Sequence, residues 1–132
     1  MSKLEFNQLS QKIRFKKRLF NFSENQVNFL KTAINPDSKL MFLAGPAGTA
    51  KTYMAVYSAL QIMIDSGLEK DILYIRSIAE SADRSIGSLP GSIEEKFGVF
   101  ASPFYDKLDE MLNVADIKML KERKQFDCMP VN

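Results

Sequence analysis

The sequence predicts an α/β fold in which a parallel sheet is interrupted by a glycine loop. Three observations carry this expectation. A continuous apolar run, Leu40-Met-Phe-Leu-Ala44, precedes the loop Gly45–Ala50; a helical stretch of about residues 51–66 follows it; and a second apolar run, Ile72-Leu-Tyr-Ile75, comes next. Short apolar runs bounded by turn signals read as buried strands, and their alternation with a helix gives a β-loop-α-β unit. The 132 residues, 45% hydrophobic and 26% charged, match one globular domain with a real core.

Each element has its local reason. In Ser23-Glu-Asn-Gln26 a hydroxyl at the N-cap and an amide at the third helical position form a capping box. Val27, Leu30 and Ile34 then follow at helical spacing, and Asn35-Pro-Asp-Ser38 ends that helix as a turn. In the helix after the loop, Ala55, Ala59, Ile62 and Met63 make the expected apolar face, and Gly67 is the expected stop. Leu89-Pro-Gly91 is a turn and Ser92-Ile-Glu-Glu95 another helix start. Residues of about 103–113 and 115–124 read as two helices, with Pro103 opening the first. Phe126-Asp-Cys-Met-Pro-Val131 is apolar but carries no assignment.

Composition excludes several chemistries. The chain has no histidine and one cysteine, Cys128, so histidine bases, Ser-His-Asp sites and His- or Cys-rich metal centres are out. The apolar runs are too short to span a bilayer and the first residues lack a signal-peptide core, so a cytoplasmic protein is expected. The net charge of +2 does not by itself demand a nucleic-acid partner. One stretch, Lys12-Ile-Arg-Phe-Lys-Lys-Arg18, holds five positive charges in seven residues. It reads as a solvated face or, alternatively, as a contact for RNA or single-stranded nucleic acid, with Phe15 and Phe20 for stacking.

The loop carries the sharpest chemistry. Gly45-Pro-Ala-Gly-Thr-Ala-Lys-Thr52 follows the pattern G-x-x-x-x-G-K-[ST] except at Ala50, where the last glycine is missing. Gly45 and Gly48 let the backbone bend around a phosphate, and the amides up to Lys51 can point inward as a nest. The helix N-terminus adds partial positive charge. Lys51 can reach β- and γ-phosphates, and the Thr52 hydroxyl can ligate Mg²⁺. The cofactor set is therefore ATP or a related nucleotide with Mg²⁺, held by Gly45, Pro46, Ala47, Gly48, Thr49, Ala50, Lys51 and Thr52. If position 50 is left-handed, alanine costs about 1–2 kcal/mol there; if it is helical, alanine costs nothing.

Gly-Pro-Ala-Gly-Thr-x-Lys-Thr at 45–52 resembles the P-loop of the PhoH-like ATPase family. Arg76 after the second apolar run, Gly87-Ser-Leu-Pro-Gly91 with Glu94-Glu95-Lys96, and Phe104-Tyr105-Asp106 resemble that family's later motifs. The likeness covers about residues 22–132 and divides the chain into a basic segment, 1–20, and the N-terminal portion of an ATP-binding domain, 21–132. Ala50, Ser77 and Ser81-Ala-Asp83 depart from the family pattern, which bears on catalytic competence more than on fold. The resemblance implies a RecA-like three-layer P-loop core that binds ATP and Mg²⁺, an ATPase activity, a link to RNA metabolism and ring-shaped oligomers. It also implies an adenine-reading glutamine near Gln26, which stands 19 residues before Gly45; the capping box is the competing role.

Hydrolysis needs an apolar strand ending in a carboxylate, and no four apolar residues ending in an acid follow Thr52. The expectation is an incomplete parallel sheet, weak or absent hydrolysis by the chain alone, marginal stability, and a homo-oligomer or second chain that completes the core. Arg76 reads as a phosphate contact or a surface ion pair. Glu80, Asp83, Glu94 and Glu95 receive no catalytic role. Phe97, Phe100, Phe104 and Tyr105 read as core, and Cys128 as a small buried residue. A nucleic-acid module with a vestigial nucleotide site and a small-molecule phosphotransferase are the rival readings.

Overall fold

The structure, a computed structural model, describes residues 13–16, 22–77 and 93–131, with the backbone alone for 93–100. Among the described residues there are four helices and two strands. In order these are α1 (Glu24–Ile34), α2 (Lys51–Asp65), β1 (Ile72–Ser77), α3 (Ile93–Met111), α4 (Val114–Glu122) and β2 (Phe126–Val131). The chain is thus α/β, with β1 and β2 paired in parallel from Ile72 opposite Phe126 to Ser77 opposite Val131. A parallel pair needs a long crossover, and α3 with α4 supplies it.

The helix α1 begins where the capping box predicts. The Ser23 hydroxyl accepts from the Gln26 amide at 3.2 Å and the Gln26 Oε1 accepts from the Ser23 amide at 2.9 Å. Its end is a turn in which Asn35 Oδ1 accepts from the Asp37 amide at 3.0 Å. The helix α2 starts at Lys51 as expected, and Gly67 at φ +69° follows its C-terminus. Its inward face matches the expected one at Met63 and differs elsewhere. Tyr53, Met54, Val56, Leu60 and Met63 are buried, whereas Ala55 is exposed and Ala59 and Ile62 are half-buried. This helix is apolar almost all round, so spacing could not choose its face; the bulkier side chains exclude more water and take the core.

Other expectations need correction. Leu40–Ala44 forms no strand: Leu40 is 75% and Phe42 87% exposed, and only Leu43 packs against the core. A strand exists through its ladder, and no described strand pairs with this run. Ile72–Ile75 does form a strand, but one face remains open. Ile72 and Tyr74 turn towards α3, while Leu73 and Ile75 are each 52% exposed. The unassigned segment from Phe126 is its partner. Pro103 does not open a helix; it lies inside α3, which runs from the start read at Ser92-Ile-Glu-Glu95.

The core is built on α2 and α3. Phe104, 1% exposed, stacks on Tyr74 with centroids 5.2 Å apart and meets Phe126 edge-on at 5.6 Å. Leu108, Met111, Leu112 and Leu120 fill the layer around it. Buried Gln125 fixes the entry to both strands: its Nε2 donates to the Leu68 carbonyl at 3.1 Å, and its own carbonyl accepts from the Ile72 amide at 2.8 Å. A buried amide that meets its donors and acceptors costs little and specifies register.

Candidate functional site

The glycine loop runs from the anchored Leu43 to the first turn of α2. Gly48 has φ +83° and Ala50 φ +63°, so both take the left-handed conformation. A Cβ placed on Gly45 would lie 3.0 Å from Thr49 Oγ1, so a side chain there would press on the hydroxyl that braces the loop. The Thr49 hydroxyl donates to the Pro46 carbonyl at 2.7 Å, which braces the turn. The Lys51 ammonium donates to the carbonyls of Gly45 and, at 2.8 Å, of Pro46, which hold it across the mouth of the loop. Ala50 offers α2 no side-chain cap, and the helix dipole favours an anion at that first turn.

Beside the loop lies a cavity of about 660 Å³. Gln26, Gly45, Pro46, Gly48, Thr49, Ala50 and Lys51 all line it, with Ser23, Phe29 and Met54. Residues predicted from two separate motifs therefore share one hollow. The Gln26 side chain makes the capping box and also borders this cavity, so its two competing roles are not exclusive. The bond from Ser23 uses Oε1 and leaves Nε2 to donate.

Thr52 is exposed and borders a second cavity of about 560 Å³, shared with Gly48, Ala50 and Lys51 and bounded by Lys107 and Glu110 of α3. No motif marks Lys107 or Glu110. They flank the apolar stripe Phe104, Leu108 and Met111, but only the packing of α3 against α2 shows that this flank meets the loop. These residues fit the cofactor pair suggested by the motif: a tight backbone cradle with a lysine at its mouth suits a polyphosphate, and an exposed hydroxyl at the second helical position suits Mg²⁺. No cluster of three or more histidines, cysteines, aspartates or glutamates occurs among the described residues. A cation here would rest on phosphate oxygens and few protein ligands.

The remaining candidates lie elsewhere. Arg76 is exposed in β1, opposite Pro130. Glu80 and Asp83 fall outside the described residues, as do Lys12, Lys17, Arg18 and Phe20 and the side chains of Glu94, Glu95, Phe97 and Phe100. Of the basic run, Ile13 is in the core and Phe15 stacks on Tyr57 at 4.6 Å. The Lys16 ammonium donates to the Asp109 carbonyl at 2.7 Å. Those groups are engaged with this chain's own surface. Cys128 is half-buried; burial pushes its thiol up, Asp127 adds to this and Lys121 opposes it, which disfavours a thiolate nucleophile. No helix among the described residues is long and apolar enough to cross a membrane.

Comparison with known proteins bears on this geometry. The family model described as PhoH-like protein matches residues 19–132. A PhoH-like protein of Bacillus subtilis is 36% identical over 92 residues, which is 70% of this chain and 28% of that protein. One of Synechocystis is 36% identical over 90 residues, 68% of this chain and 27% of that one. Protein PhoH of Escherichia coli K12 is 32% identical over 93 residues, 70% of this chain and 25% of that one. The matched part thus spans about a quarter of the length of these relatives. No solved structure matches the chain.

Proposed function

This chain belongs to the PhoH-like protein family, and from that premise we propose that it binds ATP with Mg²⁺ on the loop Gly45–Thr52. One observation carries the reading: Lys51 stands at the mouth of a left-handed backbone turn that leads into the uncapped start of α2. The loop amides, from Gly48 to Thr52, hold the phosphate oxygens and Lys51 neutralises the β- and γ-charges. The Thr52 hydroxyl is the protein ligand to Mg²⁺. Bound Mg²⁺ supplies charge neutralisation of the terminal phosphates. The base enters the larger cavity beside Phe29, where the Gln26 Nε2 donates to an acceptor on its edge. The fold that would support this is the three-layer RecA-like core, of which the two-stranded sheet is one portion.

Hydrolysis by this chain alone is slow in this reading. β1 ends in Arg76 and Ser77 and β2 in Pro130 and Val131, so neither described strand delivers a carboxylate at its C-terminal end. The test is saturation binding of a fluorescent ATP analogue to the purified chain and to Lys51→Ala. Saturable binding that falls at least tenfold in the variant is expected, since a charge-assisted phosphate contact contributes about 1.5–3 kcal/mol. Binding that is absent, or indifferent to Lys51, would remove the nucleotide reading. Equal affinity for ATP and GTP would remove the role of Gln26 alone.

A further inference from the structure

The segment at residues 13–16 lies ahead of the stretch that matches the family, which begins at residue 19. Even so, Ile13 is 3% exposed and belongs to the core. Phe15 pairs with Leu112 in an antiparallel bridge, and the Lys16 amide donates to the Met111 carbonyl at 2.7 Å. The Lys16 ammonium donates to the Asp109 carbonyl, also at 2.7 Å. The last turn of a helix leaves carbonyls without intrahelical donors and gathers negative potential. In α3 that turn, residues 108–111, has no basic residue of its own. Lys16 supplies both the donors and the cation, from 93 positions away in sequence. The same segment reaches α2: the Phe15 ring stacks on Tyr57 with centroids 4.6 Å apart, and Tyr57 stacks on Tyr53 at 6.3 Å. Tyr53 borders the smaller cavity beside Thr52, and Lys107 and Glu110, on either side of Asp109 in sequence, form its α3 side. Residues 13–16 therefore join the two helices that wall this cavity.

We propose that residues 13–16 are a clamp that fixes the separation of α2 and α3 on the Thr52 side of the loop, with Lys16 as a positioning residue for the bound nucleotide. The inference rests on the nucleotide reading of the loop. Because the docked clamp sets the width that the nucleotide meets, the two are linked in both directions. Undocking weakens nucleotide binding by some factor, and nucleotide suppresses undocking by that same factor.

The experiment is limited trypsin digestion of the full chain, with cleavage after Arg14 followed by mass spectrometry as a fluorescent ATP analogue with Mg²⁺ is raised. That cleavage reports the undocked clamp when reclosing outpaces the protease. It should slow about fivefold or more and then level off, the plateau being the coupling factor. Lys16→Met keeps the stem and removes the ammonium; it should speed the ligand-free cleavage and weaken nucleotide binding, and Lys16→Arg should restore both. No slowing, or faster cleavage, overturns the inference, while binding that Lys51→Ala weakens keeps the loop reading intact. Slowing that keeps rising with ligand also overturns it, because Arg14 is then reached only by unfolding of the whole chain. Faster cleavage of Lys16→Met with unchanged affinity overturns it as well. The plateau is read on the unmodified chain, so it decides even where Lys16→Met fails to fold. Nucleotide binding indifferent to Lys51 overturns both readings.

Discussion

Ala50 sits at φ +63° and ψ +31°, a conformation in which a Cβ crowds the neighbouring backbone. The strain of about 1–2 kcal/mol is set against the extra unfolded-state freedom of glycine, about 0.5–1 kcal/mol. The strain wins, so Ala50→Gly should stabilise the chain by about 0.5–1 kcal/mol in urea denaturation. A neutral or destabilising result would mean that the loop relaxes around alanine at no cost. The position of this strain was legible as a conditional: the motif marks residue 50 as a glycine site, and only the backbone says that the site is left-handed. Gly45, Gly48, Lys51 and Thr52 were legible outright, because a phosphate loop is contiguous in sequence. Lys107 and Glu110 were not, because their relation to Thr52 passes through the packing of one helix on another.

At the scale of elements, α1 shows what local signals can and cannot do. It buries no residue fully, although Phe29 and Leu30 lean on the core, so its termini carry much of its stability. Ser23→Ala removes one of the two bonds of the capping box and should cost about 1 kcal/mol. The loss should appear as faster amide exchange within Glu24–Ile34 and leave Lys51–Asp65 unchanged; uniform acceleration in both helices would place the cap in the global core instead. The box was legible because four adjacent residues contain the whole interaction. The same local logic misread Leu40–Ala44 and Pro103. Whether an apolar run becomes a strand depends on a ladder partner far away in sequence. A proline that looks like a helix start joins an existing helix when the residues before it are already helical. The inward face of α2 was only partly read for a related reason: where most positions are apolar, periodicity carries little information, and the packing of α2 on α3 decides.

For the whole molecule, the balance of covered and open apolar surface sets behaviour in solution. One face of the sheet is closed by Phe104 through Tyr74 and Phe126. The other presents Leu73 and Ile75 at 52%, Met129 at 48% and Val131 at 43% exposure, in adjacent registers of the parallel pair. Leu40 and Phe42 add further exposed apolar surface. Parallel sheets are normally covered on both faces, so this surface is unusual for a folded chain at rest. The two described strands also have edges that a third would pair. The expected consequence is an apolar dye signal from the native chain, self-association that grows with concentration, and a broad thermal transition. Replacing Phe42 and Ile75 together by Ser and Thr should lower both dye binding and self-association. Stability should move by no more than about 0.5 kcal/mol per site, since those side chains are largely in water already. The physics separates two explanations of marginal stability. If the core between α2 and α3 is the weak point, polar substitution outside it changes nothing. If open apolar surface is the weak point, the substituted chain stays monomeric and melts more sharply. A sharp monomeric transition above about 60 °C in the unmodified chain, without dye binding, would reject the expectation altogether, because that is the behaviour of a domain whose apolar faces are covered.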